Sequence, residues 1–430
     1  MQYFNRVYLL LRRSPAVRQS AVLTAGTITT AVISALAIIY VSRVLGPTQF
    51  GIFSVGTAIM AIAAKVGDLG LSTIITRQLP RLHNDPHKAK EFLAQVSKWK
   101  LTMTTVGLIL LALLIPFGQQ LLNYPYPHLL GLALFGSVGL IMYEYVLLVL
   151  SAFHSFAWVT VLNILQAALK VLSFVLLGLL GLATATTVSV FYYSAPLVAA
   201  LFVAAFFSQW FFLRPATGSP ALRAEVRKHI GHAAIGMVAM TLITNIDVLF
   251  VQRYLSSFET GIYSAAMRVA LFVTFAGAAI GGVLNNRVAR YQRRELLISY
   301  LRKSLLVVLA AVVGFLIFLP FAQLILVLTL GNEFISGLIP MIILVLNAFL
   351  SLAVVPYISF FYAVDHPKYF SLGGVLQVAI ISLGNLLFLP QYGLNASALS
   401  RVAATLCHLI FTVLYIKYAM NRITENERQS

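Results

Sequence analysis

The sequence predicts an all-α integral membrane protein of about twelve transmembrane helices, and three observations support this fold class. Of its 430 residues, 60% are hydrophobic and only 10% are charged, whereas a soluble domain is nearer half apolar and a quarter charged. Many apolar stretches reach the roughly 20 residues that span a bilayer. Positive charge falls mainly on alternate connecting segments. Because backbone amides in lipid must be satisfied within their own segment, the spans are expected to be helices.

Each predicted span is an apolar run bounded by polar or charged residues. In chain order the runs cover residues 20–42, 49–72, 99–118, 128–150, 157–180, 185–208, 231–252, 259–284, 303–330, 335–357, 369–390 and 393–417. The first run lacks a cleavage site and is expected to stay as helix 1 rather than be removed as a signal peptide. Several spans contain or end at a proline, which favours kinks or breaks. These prolines are Pro116, Pro196, Pro320, Pro340, Pro356 and Pro390.

The connecting segments are short and leave no room for a soluble catalytic domain. The single cysteine, Cys407, is expected to be a small buried side chain. One cysteine cannot form an intrachain disulfide, and no cysteine cluster suggests zinc or iron–sulfur. We therefore expect no cofactor, no metal site and no enzymatic activity.

The distribution of cations predicts the orientation. With the N-terminus in the cytoplasm, 24 of the 30 Lys and Arg residues fall in inner segments, and only Arg43 and Arg253 fall in outer loops. The prediction is an N-in, C-in topology with an even number of helices. This topology explains most of the net charge of +18, so no nucleic-acid partner is expected.

An internal repeat relates the two halves of the chain. A shift of 210 residues aligns VSRVLGPTQFGIFS at 41–54 with VQRYLSSFETGIYS at 251–264, and eight of 37 positions from 41 to 77 are identical. Gly51 aligns with Gly261. Six spans per half make this a parallel repeat about an axis along the membrane normal, as in some alternating-access transporters. The predicted domains are residues 1–218, with spans one to six, and residues 219–430, with spans seven to twelve.

Turn chemistry at the repeated corner agrees with this alignment. Gly46-Pro47 suits a helix N-cap followed by the first helical position. In the second copy, Ser256 and Glu259 form a capping-box pattern. Each pattern starts a helix just after an arginine of the outer face.

The repeated segment also carries a family resemblance. The stretch from Arg43 through Leu45-Gly46-Pro47 and Phe50-Gly51-Ile52-Phe53 to Asp68-Leu69-Gly70 resembles the oligosaccharide flippases of bacterial polysaccharide biosynthesis. Those proteins belong to the multidrug/oligosaccharidyl-lipid/polysaccharide exporter superfamily. Residues 245–270 resemble the family's corner between helices 7 and 8. The clear motifs cover about a fifth of the chain, and helix number and topology extend the likeness to nearly all of it.

The resemblance implies two six-helix bundles that form a V-shaped central cavity, lined largely by helices 1, 2, 7 and 8. It implies transport of undecaprenyl-diphosphate-linked oligosaccharide from the inner to the outer leaflet of the bacterial cytoplasmic membrane. The partners would be this substrate and membrane lipids, with a polysaccharide polymerase and glycosyltransferases as further candidates. The motifs do not specify the sugar.

Four cations are predicted inside spans, where an ionisable side chain costs roughly 3 kcal/mol or more and usually faces a partner or a water-filled cavity. They are Lys65, Lys170, Arg268 and Arg401. Arginine binds phosphate through bidentate hydrogen bonds and lysine binds it as a point charge, so these cations can guide a diphosphate across. Arg77 and Arg287, which are repeat mates at the inner mouth, are expected to meet the incoming diphosphate or to anchor to lipid phosphates.

Ion pairing is the alternative role for the cations. Three acids are predicted within spans or at their edges, namely Asp68, Glu144 and Asp247. The candidate pairs are Lys65 with Asp68, Arg268 with Asp247, and Lys170 with Glu144. The acids then serve either as a proton or sodium coupling site or as charge balance for the cations.

Three other functions remain as alternatives. A multidrug or cation exporter of the same superfamily should place acids at its site, whereas here four cations meet three acids. A membrane-embedded polysaccharide polymerase or ligase generally needs a large outer loop with catalytic side chains, and the outer loops here are short. A scaffold that transports nothing has no need of cations in its spans.

Overall fold

The computed structural model is an all-helical bundle and has no strand within its described ranges. It describes residues 15–82, 85–206, 220–288, 294–361 and 367–429. The predicted boundary between domains, at residues 218 and 219, lies outside these ranges.

The helices follow one another with short connections. The first half contains α1 (Pro15–Asp68), α2 (Leu71–Gln78), α3 (Pro86–Ala112), α4 (Gly118–Leu122), α5 (Pro127–Ala152), α6 (Phe156–Leu179) and α7 (Ala185–Phe206). The second half contains α8 (Pro220–Tyr254), α9 (Ser257–Val288), α10 (Arg294–Phe318), α11 (Ala322–Thr329), α12 (Leu338–Ser359), α13 (Pro367–Tyr392) and α14 (Leu394–Gln429).

Helix α1 contains two predicted spans. Its backbone is non-helical at Gly46, where φ is 67° and ψ is 172°, a left-handed conformation that favours glycine. The kink separates residues 15–45 from residues 47–68, and each limb exceeds the roughly 20 residues of a bilayer span. Eleven helices in the described ranges are long and apolar enough to cross a membrane. Counting the limbs of α1 separately gives the twelve spans that the sequence predicts.

The predicted caps at the repeated corner are present. Pro47 begins the second limb of α1. The Ser256 hydroxyl accepts a hydrogen bond from the Phe258 amide at 3.1 Å, so Ser256 caps α9. Glu259 accepts from the Ser256 hydroxyl, whereas in a standard capping box it would bond the backbone amide of the cap residue.

Proline interrupts the helix of two spans, in equivalent places of the two halves. In the third span, α3 stops at Ala112 and is followed by a 3₁₀ turn around Pro116 and the short helix α4. In the ninth span, α10 stops at Phe318 and is followed by a 3₁₀ turn around Pro320 and the short helix α11. By contrast, Pro196, Pro356 and Pro390 lie inside helices.

The two halves touch at both ends of the bundle, which we name after Gly46 and Gly70. At the Gly46 end, a Cβ built on Gly51 would lie 1.8 Å from the Ser257 carbonyl oxygen. One built on Gly261 would lie 1.8 Å from the Pro47 carbonyl oxygen. Pro47 and Ser257, like the two glycines, are 210 residues apart, so this contact is symmetric between the repeats. At the Gly70 end, a Cβ on Gly70 would lie 2.9 Å from the Ala234 amide nitrogen.

Much of the apolar surface faces outward, as expected for helices in lipid. Several leucines of α3 and α10 are more than half exposed, among them Leu110 at 60% and Leu306 at 69%. Cys407 is also exposed, so the prediction of a buried cysteine was wrong. The apolar run around Cys407 did not reveal which side of α14 faces the protein, because lipid accepts an apolar side chain as readily as a protein core does.

Candidate functional site

Asp68 forms a buried ion pair at the Gly70 end. The Lys100 ammonium donates to its Oδ1 at 2.5 Å and the Ser72 hydroxyl donates to the same oxygen at 2.7 Å. The two charged side chains are 6% and 1% exposed. Leu69 and Gly70 follow with φ of 43° and 79° and turn the chain into α2. The Asp68-Leu69-Gly70 motif therefore builds a corner that ties α1 to α3, a role for Lys100 that the sequence analysis missed.

Lys65 pairs with Glu144 on α5 and not with Asp68. Its ammonium donates to both carboxylate oxygens, at 2.6 and 2.7 Å. Asp68 has the local spacing for a pair, but its carboxylate turns toward α3. The pairing of Glu144 with Lys170, the other candidate, is likewise not found.

A cavity of about 680 Å³ opens beside the Lys65–Glu144 pair. Helices α1, α2 and α5 of the first half and α8 of the second half form its wall. Its polar lining includes Arg77, which is exposed, together with Thr73 and Thr76. The Thr73 hydroxyl also contacts the Met237 sulfur across the halves at 3.3 Å. Arg287, the repeat mate of Arg77, has a side chain outside the described set.

Asp247 pairs with Arg401 and not with Arg268. The Arg401 Nε donates to its Oδ2 at 2.5 Å, and the Tyr263 hydroxyl donates to the same oxygen at 2.6 Å. The guanidinium also donates to the Ile243 carbonyl oxygen. The two charged side chains are 13% and 0% exposed. This pair joins α8 to α14 within the second half and is a buried structural network.

Lys170 and Arg268 have no carboxylate partner among the described residues. The Lys170 ammonium lies 4.2 Å from the centre of the Tyr192 ring, a cation–π contact. The Arg268 guanidinium lies close enough to Tyr192 for an electrostatic interaction, and its Nε is buried without a hydrogen-bond partner. Lys170 and Tyr192 belong to the first half and Arg268 to the second. The structure thus places near one tyrosine two cations that are uncompensated within the described residues, one from each half.

Aromatic rings hold Tyr192 in place. Phe174 stacks on it with ring centres 6.1 Å apart and an interplanar angle of 7°. Phe53 meets it edge to face at 5.2 Å. A ring fixed by packing presents a defined surface to the two cations.

Arg43 bonds across the halves at the Gly46 end. Its guanidinium donates to the carbonyl oxygens of Val327 and Leu328, at 2.9 and 2.6 Å, and so caps the end of α11. In the opposite direction, the Gln252 amide donates to the Asn123 carbonyl oxygen just after α4, at 3.1 Å. The two short helices that follow the proline breaks are therefore each held by the other half.

The chain was compared with known families and structures. Residues 16–271 match the model of a family described as polysaccharide biosynthesis protein. A sequence comparison with curated proteins found no significant match.

Solved structures of transporters share the fold. One is titled lipid II flippase MurJ in an inward closed conformation, with 10% identity, a TM-score of 0.75 and coverage of 94% of this chain and 90% of that chain. Another is an inward-facing multidrug resistance MATE family transporter of the MOP superfamily, with 14% identity, a TM-score of 0.67 and coverage of 92% and 96%. The family model covers more than half of the chain, and this protein belongs to the polysaccharide biosynthesis protein family.

Proposed function

We propose that this protein carries an undecaprenyl-diphosphate-linked oligosaccharide from the inner to the outer leaflet of the bacterial cytoplasmic membrane, for surface polysaccharide synthesis. The observation that carries the proposal is the pair of uncompensated cations, Lys170 and Arg268, around Tyr192 between the halves. An ionisable side chain inside a span normally faces a partner or a water-filled cavity. A diphosphate would supply the missing negative charge.

Two further cations of the proposed path lie at the Gly70 end. We place this end in the cytoplasm, because an inner location of most Lys and Arg residues is the rule for membrane proteins. Arg77 and Lys65 line the cavity there and would receive the diphosphate first. Arg287 is proposed to serve the same purpose in the second half, and Arg401 to stabilise the site through its bond to Asp247.

Transport would proceed by alternating access between the bundles of residues 1–218 and 219–430. The polyprenyl tail is already soluble in lipid, so only the diphosphate and the glycan need a polar path. The contacts at the Gly46 and Gly70 ends would open in turn as the halves rock about the central cations. This cycle requires no covalent chemistry, and we propose that the protein is a transporter and not an enzyme.

Export of drugs or other cations is the second candidate, since multidrug transporters share the fold. A site for a cation should present a free carboxylate. Asp68 and Asp247 are buried in ion pairs with Lys100 and Arg401. This favours charge balance over ion coupling as the role of these two acids. The two uncompensated charges between the halves are positive, and this favours an anionic substrate.

Complementation of a strain that lacks this protein tests the proposal. Lys170→Ala combined with Arg268→Ala should abolish most surface polysaccharide at an unchanged level of membrane-inserted protein. Lys98→Ala, which removes an exposed cation outside the bundle interface, should complement as wild type does. Normal polysaccharide in the double variant would refute a cationic substrate path.

A further inference from the structure

The three intramembrane ion pairs found among the described residues differ in their access to water. The side chains of Asp68 and Lys100 are almost fully buried, as are those of Asp247 and Arg401. The side chains of Lys65 and Glu144 are instead 21% and 26% exposed. Both also line the cavity at the Gly70 end. An anion that enters this cavity can therefore reach Lys65 without unfolding the site.

We infer that Glu144 is a resident competitor for the anionic group that Lys65 binds. Without substrate, both oxygens of the Glu144 carboxylate accept hydrogen bonds from the Lys65 ammonium. A substrate phosphate would replace it on the same ammonium. The inference rests on the proposed function, because it requires a substrate with a phosphate or diphosphate group.

The bonding of the three acids separates Glu144 from the others. Asp68 also accepts from the hydroxyl and the amide of Ser72, at 2.7 and 3.2 Å. Asp247 also accepts from Tyr263. These additional bonds fix the two carboxylates, whereas no hydrogen bond to Glu144 other than those from Lys65 is found among the described residues. Glu144 is therefore the acid that can leave its cation.

Pairing with Glu144 before the substrate binds has a physical advantage over leaving Lys65 without a counter-ion. A lysine without a counter-ion at this depth would be costly, and Glu144 supplies that counter-ion until the substrate arrives. Because both partners are partly solvated, their attraction is screened and the exchange is not opposed by deep desolvation. The positive charge of Arg77, exposed on the wall of the same cavity, attracts an incoming anion toward the pair.

Binding of geranyl diphosphate, a soluble polyprenyl diphosphate, to the purified full-length protein in detergent tests this inference by titration calorimetry. Glu144→Gln should bind the probe up to about fivefold more tightly than wild type, because the probe no longer has to break a partly exposed ion pair. Lys65→Gln should bind it more weakly. The double variant should match Lys65→Gln alone, because Glu144 competes only through Lys65. Glu144→Ala should tighten binding as Glu144→Gln does, which keeps the test valid if one variant folds poorly.

The matched control is Glu91→Gln, which removes the same charge from a 68% exposed side chain outside the cavity and should leave the affinity unchanged. Unchanged or weaker binding by both Glu144 variants would overturn the inference. Equal tightening with and without Lys65 would also overturn it, because it would show general repulsion of the anion. Neither result would bear on the proposed role of Lys170 and Arg268 in export. Failure of the wild-type protein to bind the probe at millimolar concentration would count against the proposed function itself.

Discussion

Gly51 and Gly261 pack backbone against backbone at the Gly46 end, although 210 residues separate them. A side chain on either glycine would overlap a carbonyl oxygen of the other half, at 1.8 Å in both cases. Backbone atoms cannot rotate away as a flexible side chain can. The helices would have to separate, so these two positions require glycine for the closed contact.

We therefore predict that Gly51→Ala or Gly261→Ala opens the Gly46 end and greatly reduces export. Thr260, beside this contact, is 0% exposed. A Thr260→Cys reporter in a Cys407→Ser background should react with a membrane-impermeant maleimide much faster when either glycine is replaced. Gly236→Ala is the control, because a Cβ there would meet nothing within 4 Å. Equal labelling of the Gly51→Ala and Gly236→Ala proteins would contradict the prediction.

The two repeat-mate arginines of the Gly46 end should differ in importance. Arg43→Ala removes two hydrogen bonds to α11 of the other half, so we expect faster labelling of the same Thr260→Cys reporter and reduced export. Arg253 is exposed, and none of the cross-half hydrogen bonds described above involves it. Arg253→Ala should therefore leave labelling close to that of the parent protein. A larger effect from Arg253 than from Arg43 would show that the arginines act through lipid headgroups.

Charge and shape should matter differently at the two uncompensated cations. Lys170 lies on the face of Tyr192 and acts as a point charge, so Lys170→Arg should keep substantial export while Lys170→Ala loses most of it. If Arg268 grips phosphate through its planar fork, Arg268→Lys should be impaired despite its retained charge. Surface polysaccharide, normalised to the amount of protein in the membrane, provides the measurement. Full export by Arg268→Lys would show that only the charge is needed there.

The Arg401–Asp247 and Lys65–Glu144 ion pairs should also differ in their contribution to stability. Arg401→Ala leaves Asp247 buried without a counter-ion, which costs about 3–5 kcal/mol. Lys65→Ala breaks a partly exposed pair worth ~0–1 kcal/mol. Thermal unfolding of the purified variants in detergent should therefore show a large loss for Arg401→Ala and a small one for Lys65→Ala. The opposite order would mean that the Lys65–Glu144 pair carries the fold.

Composition and local spacing were sufficient to predict the bundle. Apolar runs longer than a bilayer require helices, because lipid offers no hydrogen-bond partner to the backbone. Gly46-Pro47 predicted the corner between the first two spans, since glycine suits a helix N-cap and proline suits the first helical position. The repeat aligned Gly51 with Gly261 in sequence, and the structure brings those two residues into contact. The prolines at 116 and 320 predicted kinks or breaks, but not that a separate short helix would follow each of them.

The partners of the charges were decided only by the tertiary structure. Local spacing predicts contacts three or four residues apart on one helix, such as Lys65 with Asp68. The actual partners, Glu144 for Lys65 and Arg401 for Asp247, lie 79 and 154 residues away in the chain. Such contacts depend on how each helix is rotated and which neighbour it packs against. In an apolar helix surrounded by lipid, little in the sequence marks that rotation, so it is fixed only when all the helices pack together.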